Sequence, residues 1–303
     1  MPSSPVRPRA VALAVRLPIV SARAADFLEL TKPRLNLLVV ATTLAGYYLG
    51  ADGFHPGVLA STVVGTGLVA GGAAAFNEIL ERDTDGLMRR TRTRPLPGGR
   101  MRVSTAVWFA FALSIGGLGL LAAGANGLAA GVAAATLLSY ALIYTPLKAK
   151  TSLSTLVGGV PGALPPMIGW AAATHTLSIH AWVLFTIVFL WQMPHFLAIA
   201  WLCREDYARA GLPMLPVVEP DGRSTAQQVV LYASVLVPVS LAPTLIGLAG
   251  RIYFGGALAL GLAFLAFGIR FARQRTNDNA RRLFLASIAY LPLLWGLMLG
   301  NHL

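Results

Sequence analysis

Asn77, Glu81 and Asp85 stand four residues apart in the segment NEILERDTDGLMRRTRTRPLPGGR (77–100), so on a helix they share one face, with Glu78 beside them. With Asp83, this segment holds four of the chain's 12 acidic residues within eight positions, and Arg89, Arg90, Arg92 and Arg94 follow. Carboxylates this close repel one another. Apolar sequence on both sides puts them at a membrane surface, where unneutralised charge is expensive. A divalent cation carrying phosphate resolves both problems, because Mg2+ takes a few carboxylates and completes its shell with phosphate oxygens and water. The alternative is a solvated loop whose acids balance its arginines, which does not require three polar side chains on one helix face. Asp83 points elsewhere, toward arginine or solvent.

A second acidic group, Glu205, Asp206, Glu219 and Asp221, follows another apolar segment. If both groups face one mouth, they can hold Mg2+ against a diphosphate. Within the second group, Asp206 with Glu205 stands at the helix exit.

Positioning falls to the apolar segments. A mean hydropathy of +0.66, with 56% hydrophobic and 12% charged residues over 303 positions, excludes an ordinary soluble domain and implies an all-α, polytopic membrane protein. Nine segments are expected to cross, over residues 35–51, 56–80, 104–124, 127–146, 154–174, 181–203, 227–249, 252–270 and 283–300. Sorted by loop, 23 of the 24 basic residues fall on one side, leaving Arg251 opposite. The positive-inside bias therefore predicts a cytoplasmic N-terminus and an external C-terminus, and accounts for the net charge of +12 without nucleic acid. The single cysteine, Cys203, makes no intrachain disulfide.

Residues 1–25 carry four arginines and no acid, and read as a disordered basic tail, with a transit peptide as the alternative. Residues 26–303 form one transmembrane domain. The expected location is the bacterial inner membrane, with the active site facing the cytoplasm; the mitochondrial inner membrane is the alternative.

Three features lie within the spans. Gly158, Gly159, Pro161, Gly162, Pro165 and Pro166 would break a helix at membrane depth, which is tolerated where backbone lines a cavity; ordinary small-residue packing is the alternative. His195 follows Pro194 inside a span, and its imidazole could meet a cofactor-like substrate or simply bond a carbonyl freed by the proline. Tyr140, Tyr144, Trp170, Trp191 and Trp201 could shield a carbocation with their ring faces or form interfacial belts. His55, His175, His180 and His302 lie on the opposite side and are not expected ligands.

The pattern N-x3-E-x-D-x-D-x2-M-x-R-T-x2-R-P-L, from Asn77 to Leu96, resembles the first aspartate-rich motif of the UbiA superfamily of intramembrane prenyltransferases, in the form of its heme O synthase (protoheme IX farnesyltransferase) branch. LTKPRL (30–35), YTPLKAKTSLSTLVGGVPGALPPMIGW (144–170) and WQMPHFLAIAWLCREDYARAGLPMLPVV (191–218) are similar to that branch as well. The resemblance covers about residues 26–300. Glu81 departs from the family's usual aspartate, though its longer carboxylate still reaches a metal.

The resemblance implies a UbiA-type bundle and electrophilic alkylation, in which farnesyl diphosphate ionises and its allylic cation adds to a vinyl group of heme b, with water completing heme O. It implies Mg2+ as cofactor and heme b as substrate. Asn77, Glu81 and Asp85 would hold the first Mg2+ and Asp206 the second. Arg90, Arg94, Lys148 and Arg204 would meet the diphosphate, and His195 the heme. A heme-handling protein or heme A synthase would be a partner. A transporter would place acids along a midplane pathway, whereas these cluster at one surface. A prenyltransferase acting on an aromatic or quinone precursor is the runner-up.

Overall fold

The computed structural model describes residues 22–303, and their regular structure is helical apart from one backbone bridge, Ala249 to His302. Most of the expected N-terminal tail lies outside the described residues; Ala22–Leu30 is already a short helix. Lys32 then adopts a left-handed backbone (φ 47, ψ 60), and Pro33 opens α1 (Pro33–Gly50). Proline suits that position, since its fixed φ matches the helix and its missing N–H would have had no partner there.

Eight more long helices follow: α2 (Pro56–Leu80), α3 (Val103–Gly124), α4 (Gly127–Lys148), α5 (Ser154–Thr174), α6 (Ile179–Leu202), α7 (Arg223–Leu245), α8 (Arg251–Arg273) and α9 (Asn277–Gly300). These eight are long and apolar enough to cross a membrane. α1 has 18 residues, with Arg34 and Asn36 near its start, and falls outside that group; it packs along the second half of α5. α7 starts at Arg223 and α9 at Asn277, earlier than hydropathy alone suggested. Both first turns are polar, and at α9 the Thr276 side chain caps the Asn279 N–H.

Local sequence shapes the bundle where it matters most. α5 is interrupted at Leu164, between Ser154–Ala163 and Pro165–Thr174, because Pro165 and Pro166 withdraw two consecutive donors and Pro161 a third about one turn earlier. α4 carries a π-helical turn at Ser139–Tyr144, and the Thr145 hydroxyl donates to the Tyr140 carbonyl at 2.9 Å across it. α1 and α5 touch backbone to backbone: a Cβ at Gly169 would fall against the Thr43 carbonyl, and one at Gly46 against the Pro166 carbonyl. The Thr43 hydroxyl reaches the Pro165 carbonyl at 3.1 Å.

Alternation of the helices gathers the charged loops at one end, where Lys148 meets Glu81, the Arg89 backbone meets Asp206, and Arg204 meets Asn277. At the other end Asn126 caps α4 while donating to the Ala171 carbonyl, and Gly250 donates to Asn301. Gly169→Val is therefore expected to lower the thermal unfolding midpoint in detergent, an overpacking loss of about 1–3 kcal/mol. Gly116→Val, where a Cβ meets nothing within 4 Å, should leave it unchanged.

Candidate active site

α2 ends at Leu80 and the chain turns directly into a short helix, Arg82–Leu87, with the Glu81 N–H bonded to the Asn77 carbonyl and the Asp85 N–H to the Glu81 carbonyl. Three spaced side chains thereby stay on one side through the turn. All are buried: Asn77 is 3%, Glu81 8% and Asp85 1% exposed, and Glu78 beside them is 0% exposed.

Each of the three is matched by a basic group from a different element. Lys32 Nζ donates to Asn77 Oδ1 at 2.6 Å, Lys148 Nζ lies 3.1 Å from both Glu81 oxygens, and Arg94 Nη1 donates to Asp85 Oδ2 at 2.6 Å. The Asn77 amide also donates to the Thr145 hydroxyl at 3.2 Å, which ties α2 to the distorted part of α4. Burial pushes the Lys32 ammonium down to about 8; Arg94 adds to that effect, while Glu81, Glu78 and Asp85 oppose it. Arg100 braces the arrangement from outside by holding Asp26 and Glu29 of the short N-terminal helix at 2.7 and 2.6 Å.

The second acidic loop closes over the first. Met88 packs in a small apolar cluster with Tyr207, Leu212 and Met214, and Asp206 Oδ1 accepts from the Arg89 N–H at 3.4 Å. Burial tends to raise the Asp206 carboxyl, but the Arg209 guanidinium at 2.6 Å and the Arg89 and Arg90 backbone N–H groups outweigh it and hold it below the usual range. Glu219 and Asp221, expected on the same mouth, serve another purpose. Their carboxylates accept from the Ser224 and Arg223 N–H groups at the start of α7, where a helix terminus favours negative charge.

Beneath the charged cluster lies a cavity of about 260 Å³. Lys32, Asn36 and Lys148 meet it at the charged end, Tyr140 and Tyr144 project from the π turn, and Tyr207 and Met214 come from the second loop. Gly158, Pro161, Gly162 and Pro165 of the broken α5 line it, so the cavity reading of that run is the one the structure supports. A Cβ at Gly158 would strike the Tyr144 ring at 2.5 Å, which explains glycine there.

Two expected residues sit differently. Arg204 donates to the Trp201 carbonyl at 2.8 Å and to Asn277 at 2.7 Å, and stacks over the Trp201 indole, so it braces α6 against α9 and stands apart from the cluster. Arg90 is exposed, and only its backbone approaches Asp206. His195 points toward α9, where Nδ1 lies 2.7 Å from the Ser287 hydroxyl; its neighbours Phe196 and Ile199 line the cavity. Sequence reading passed over Lys32 and Thr145. The signal for Lys32 was its place directly before the proline that opens α1.

Whether this set fits Mg2+ can be judged from its oxygens. Asp85 Oδ1 and both Glu78 oxygens are buried without a hydrogen-bond partner of full geometry, Glu78 having only the Leu96 N–H beside it. Among the described residues, however, no three His, Cys, Asp or Glu side chains converge to enclose a metal. That suits an ion held by one or two carboxylates and completed by substrate phosphate and water, which is the habit of Mg2+.

In fold, the helical bundle matches solved structures of membrane proteins. One, described as digeranylgeranylglyceryl phosphate synthase in membranes, aligns with a TM-score of 0.78 at 16% identity, covering 93% of this chain and 99% of that one. A UbiA homologue from Archaeoglobus fulgidus bound to DMAPP and Mg2+ aligns at 0.66 and 16% identity, covering 90% and 99%. The sequence agrees: the UbiA prenyltransferase family model matches residues 39–294, and the chain belongs to that family. It is 51% identical over 284 residues to the protoheme IX farnesyltransferase of Solibacter usitatus, covering 90% of this chain and 97% of the relative. It is 46% identical over 271 residues to the protein of that name in Myxococcus xanthus, covering 88% and 91%.

Because Asp85 is sealed in, Arg94→Ala should lower stability by about 3 kcal/mol in the presence of EDTA, the penalty of an uncompensated buried charge. Combining it with Asp85→Asn should recover most of that loss in a thermal-shift measurement. A double variant no more stable than Arg94→Ala would show that the pair contributes nothing.

Proposed function

We propose that this chain transfers the farnesyl group of farnesyl diphosphate to a vinyl group of heme b and, with addition of water, yields heme O and diphosphate. The observation that carries the reading is the continuity between the buried acid–base cluster and the apolar cavity beneath it, which suits a substrate with an anionic head and an isoprenoid tail. The acceptor follows from the shared name of the relatives at 41–51% identity.

In this mechanism Lys32, Arg94 and Lys148 receive the diphosphate. Each already points into the cluster, and each can turn from its carboxylate or amide partner to a phosphate oxygen. Their charge stabilises the leaving group more as its bond to farnesyl breaks, which is where electrostatic catalysis gains its effect. Asn77, Glu81 and Asp85 would hold one Mg2+ and Asp206 a second. Bound there, the metal supplies Lewis-acid neutralisation of the diphosphate. Tyr140 and Tyr144, with ring centroids 5.3 Å apart, line the cavity next to the cluster and offer ring faces to the allylic cation. The apolar wall keeps water from that cation until it has met the vinyl carbon. Addition of water to the resulting benzylic-type cation then gives the hydroxyethylfarnesyl group and releases a proton.

The location we assign is the cell inner membrane, with nine spans and the charged end in the cytoplasm, on the strength of the basic residues gathered there. Product that stays in the bilayer would pass to a heme-handling protein or heme A synthase in the same membrane.

Purified protein in detergent, given heme b, farnesyl diphosphate and Mg2+ under reducing conditions, should form farnesylated heme detectable by mass spectrometry. No such product, alongside prenylation of an aromatic or quinone precursor, would replace the acceptor and keep the chemistry. Asp85→Ala is expected to lose about 10²–10³-fold in turnover while still binding heme. Unchanged turnover would remove Asp85 from the site.

A further inference from the structure

Arg223, Arg270, Arg273, Arg275, Arg281 and Arg282 stand at the charged ends of α7, α8 and α9, with Glu219, Asp221 and Asp278 as the acids among them. Membrane topology accounts for their sign and their side. It does not require that two of them, from different elements, flank one groove. Arg223 opens α7 and Arg275 follows the last turn of α8, and between them lies an open groove of about 550 Å³. Its wall descends α7 through Gln227, Val230, Leu231 and Ser234, which with Arg223 share one helix face and carry the groove about 16 Å from the charged end toward the membrane interior. Leu231 is 58% exposed, so this wall is open to lipid.

The rim is built rather than incidental. Gly222, in the left-handed region at φ 69, lies against the Trp201 ring, and a Cβ there would also stand 3.3 Å from Arg275 Cδ, so the arginine stem is packed in place beside Arg223. Arg275 Nη1 donates to the Ala272 carbonyl at 3.3 Å, a long bond that leaves most of the guanidinium fork for a ligand. Arg223 Nε lies 3.1 Å from Asp221 Oδ2, but the two side chains are 75% and 52% exposed, and a pair in water exchanges readily for phosphate, which takes the fork in bidentate fashion.

We propose that the α7–α8 groove is a binding site for one anionic phospholipid of the leaflet at the charged end, with its phosphate between Arg223 and Arg275 and an acyl chain along Val230, Leu231 and Ser234. A basic pocket between membrane helices, on the side where anionic headgroups lie, is the arrangement that recognises such lipids. A soluble anion would use the rim and leave the apolar wall unfilled. A zwitterionic lipid would fill the wall and set a choline or amine against two guanidinium groups. An anionic phospholipid matches both parts. The site stands apart from the cavity under the acidic cluster, shares no residue with it, and does not depend on which acceptor is prenylated.

The test uses purified full-length protein in neutral detergent, titrated with phosphatidylglycerol, phosphatidylcholine or inorganic phosphate. The thermal unfolding midpoint is followed, and bound lipid is counted by native mass spectrometry. Phosphatidylglycerol should raise the midpoint and stay bound, and the other two should do neither. Arg223→Gln combined with Arg275→Gln should weaken phosphatidylglycerol binding by roughly 30-fold, the usual contribution of two cations at a lipid surface. Arg281→Gln combined with Arg282→Gln removes the same charge from the same end and should leave the affinity nearly unchanged. Ser234→Trp, which obstructs the apolar wall and keeps both arginines, should weaken binding as well, and the midpoint without lipid checks that each variant is folded. Equal weakening by the two arginine pairs overturns the proposal in favour of a general surface field. Binding unaltered in Ser234→Trp overturns it by placing the lipid elsewhere. Phosphatidylcholine or inorganic phosphate acting as strongly as phosphatidylglycerol overturns it too, the first showing a groove for any lipid and the second a site for a free anion.

Discussion

The structure depends on one electrostatic constraint: acidic side chains are buried together where a membrane helix ends. Two like charges 4 Å apart repel by about 4 kcal/mol at the effective dielectric of a protein surface, so Glu78, Glu81 and Asp85 cannot share the end of α2 without compensation. Compensation comes from three separate places. Lys32 is delivered by a left-handed residue between two helices, Arg94 by a turn-rich loop, and Lys148 by the last turn of α4. Each of those elements is consequently tied to α2, and the charged end of the bundle is organised around the cluster.

The second layer of organisation is backbone irregularity at membrane depth. A regular α4 and α5 would pack as smooth cylinders. The π turn at Ser139–Tyr144 and the proline break at Leu164 instead free room between α1, α2, α4, α5 and α6, and the cavity lies there. Close approach elsewhere offsets the packing lost to it: glycines let α1 reach the backbone of α5, and Gly65 and Gly117 let α2 and α3 meet. The fold thus concentrates its looseness at one place and its tightest contacts around it.

How much of this was legible follows from the distances over which the residues act. Asn77, Glu81 and Asp85 could be read from spacing alone, since a helix repeats within four residues. The glycine and proline run could be recognised as a break, although only the structure decided between a cavity and simple packing. Lys32 bonds Asn77 across 45 positions and was absorbed into a count of topology-setting cations. The resemblance put Arg204 on the diphosphate, yet its guanidinium bonds the Trp201 carbonyl and Asn277 of α9. Glu219 and Asp221 were grouped with Asp206 as acids, whereas the free N–H groups at the start of α7 had the stronger claim on them. Hydropathy read nine apolar segments, 35–51 for α1 among them, but began α7 and α9 late because their first turns are polar, and it could not mark Lys32, which stands just before α1.

The pairing within the cluster also bears on how ligands assemble there. Asn77, Glu81 and Asp85 are each engaged by a cation of the chain itself, so an added metal ion alone would have to separate three existing contacts and leave Lys32, Arg94 and Lys148 without partners in a buried setting. A diphosphate alone would satisfy the cations and strand the carboxylates. Only the two together give every charge a partner, so each should bind more tightly when the other is present, and by thermodynamic linkage to the same degree. The exchange of internal ion pairs for a metal–diphosphate unit therefore makes the empty cluster stable and the loaded one selective for a substrate that arrives with its cation.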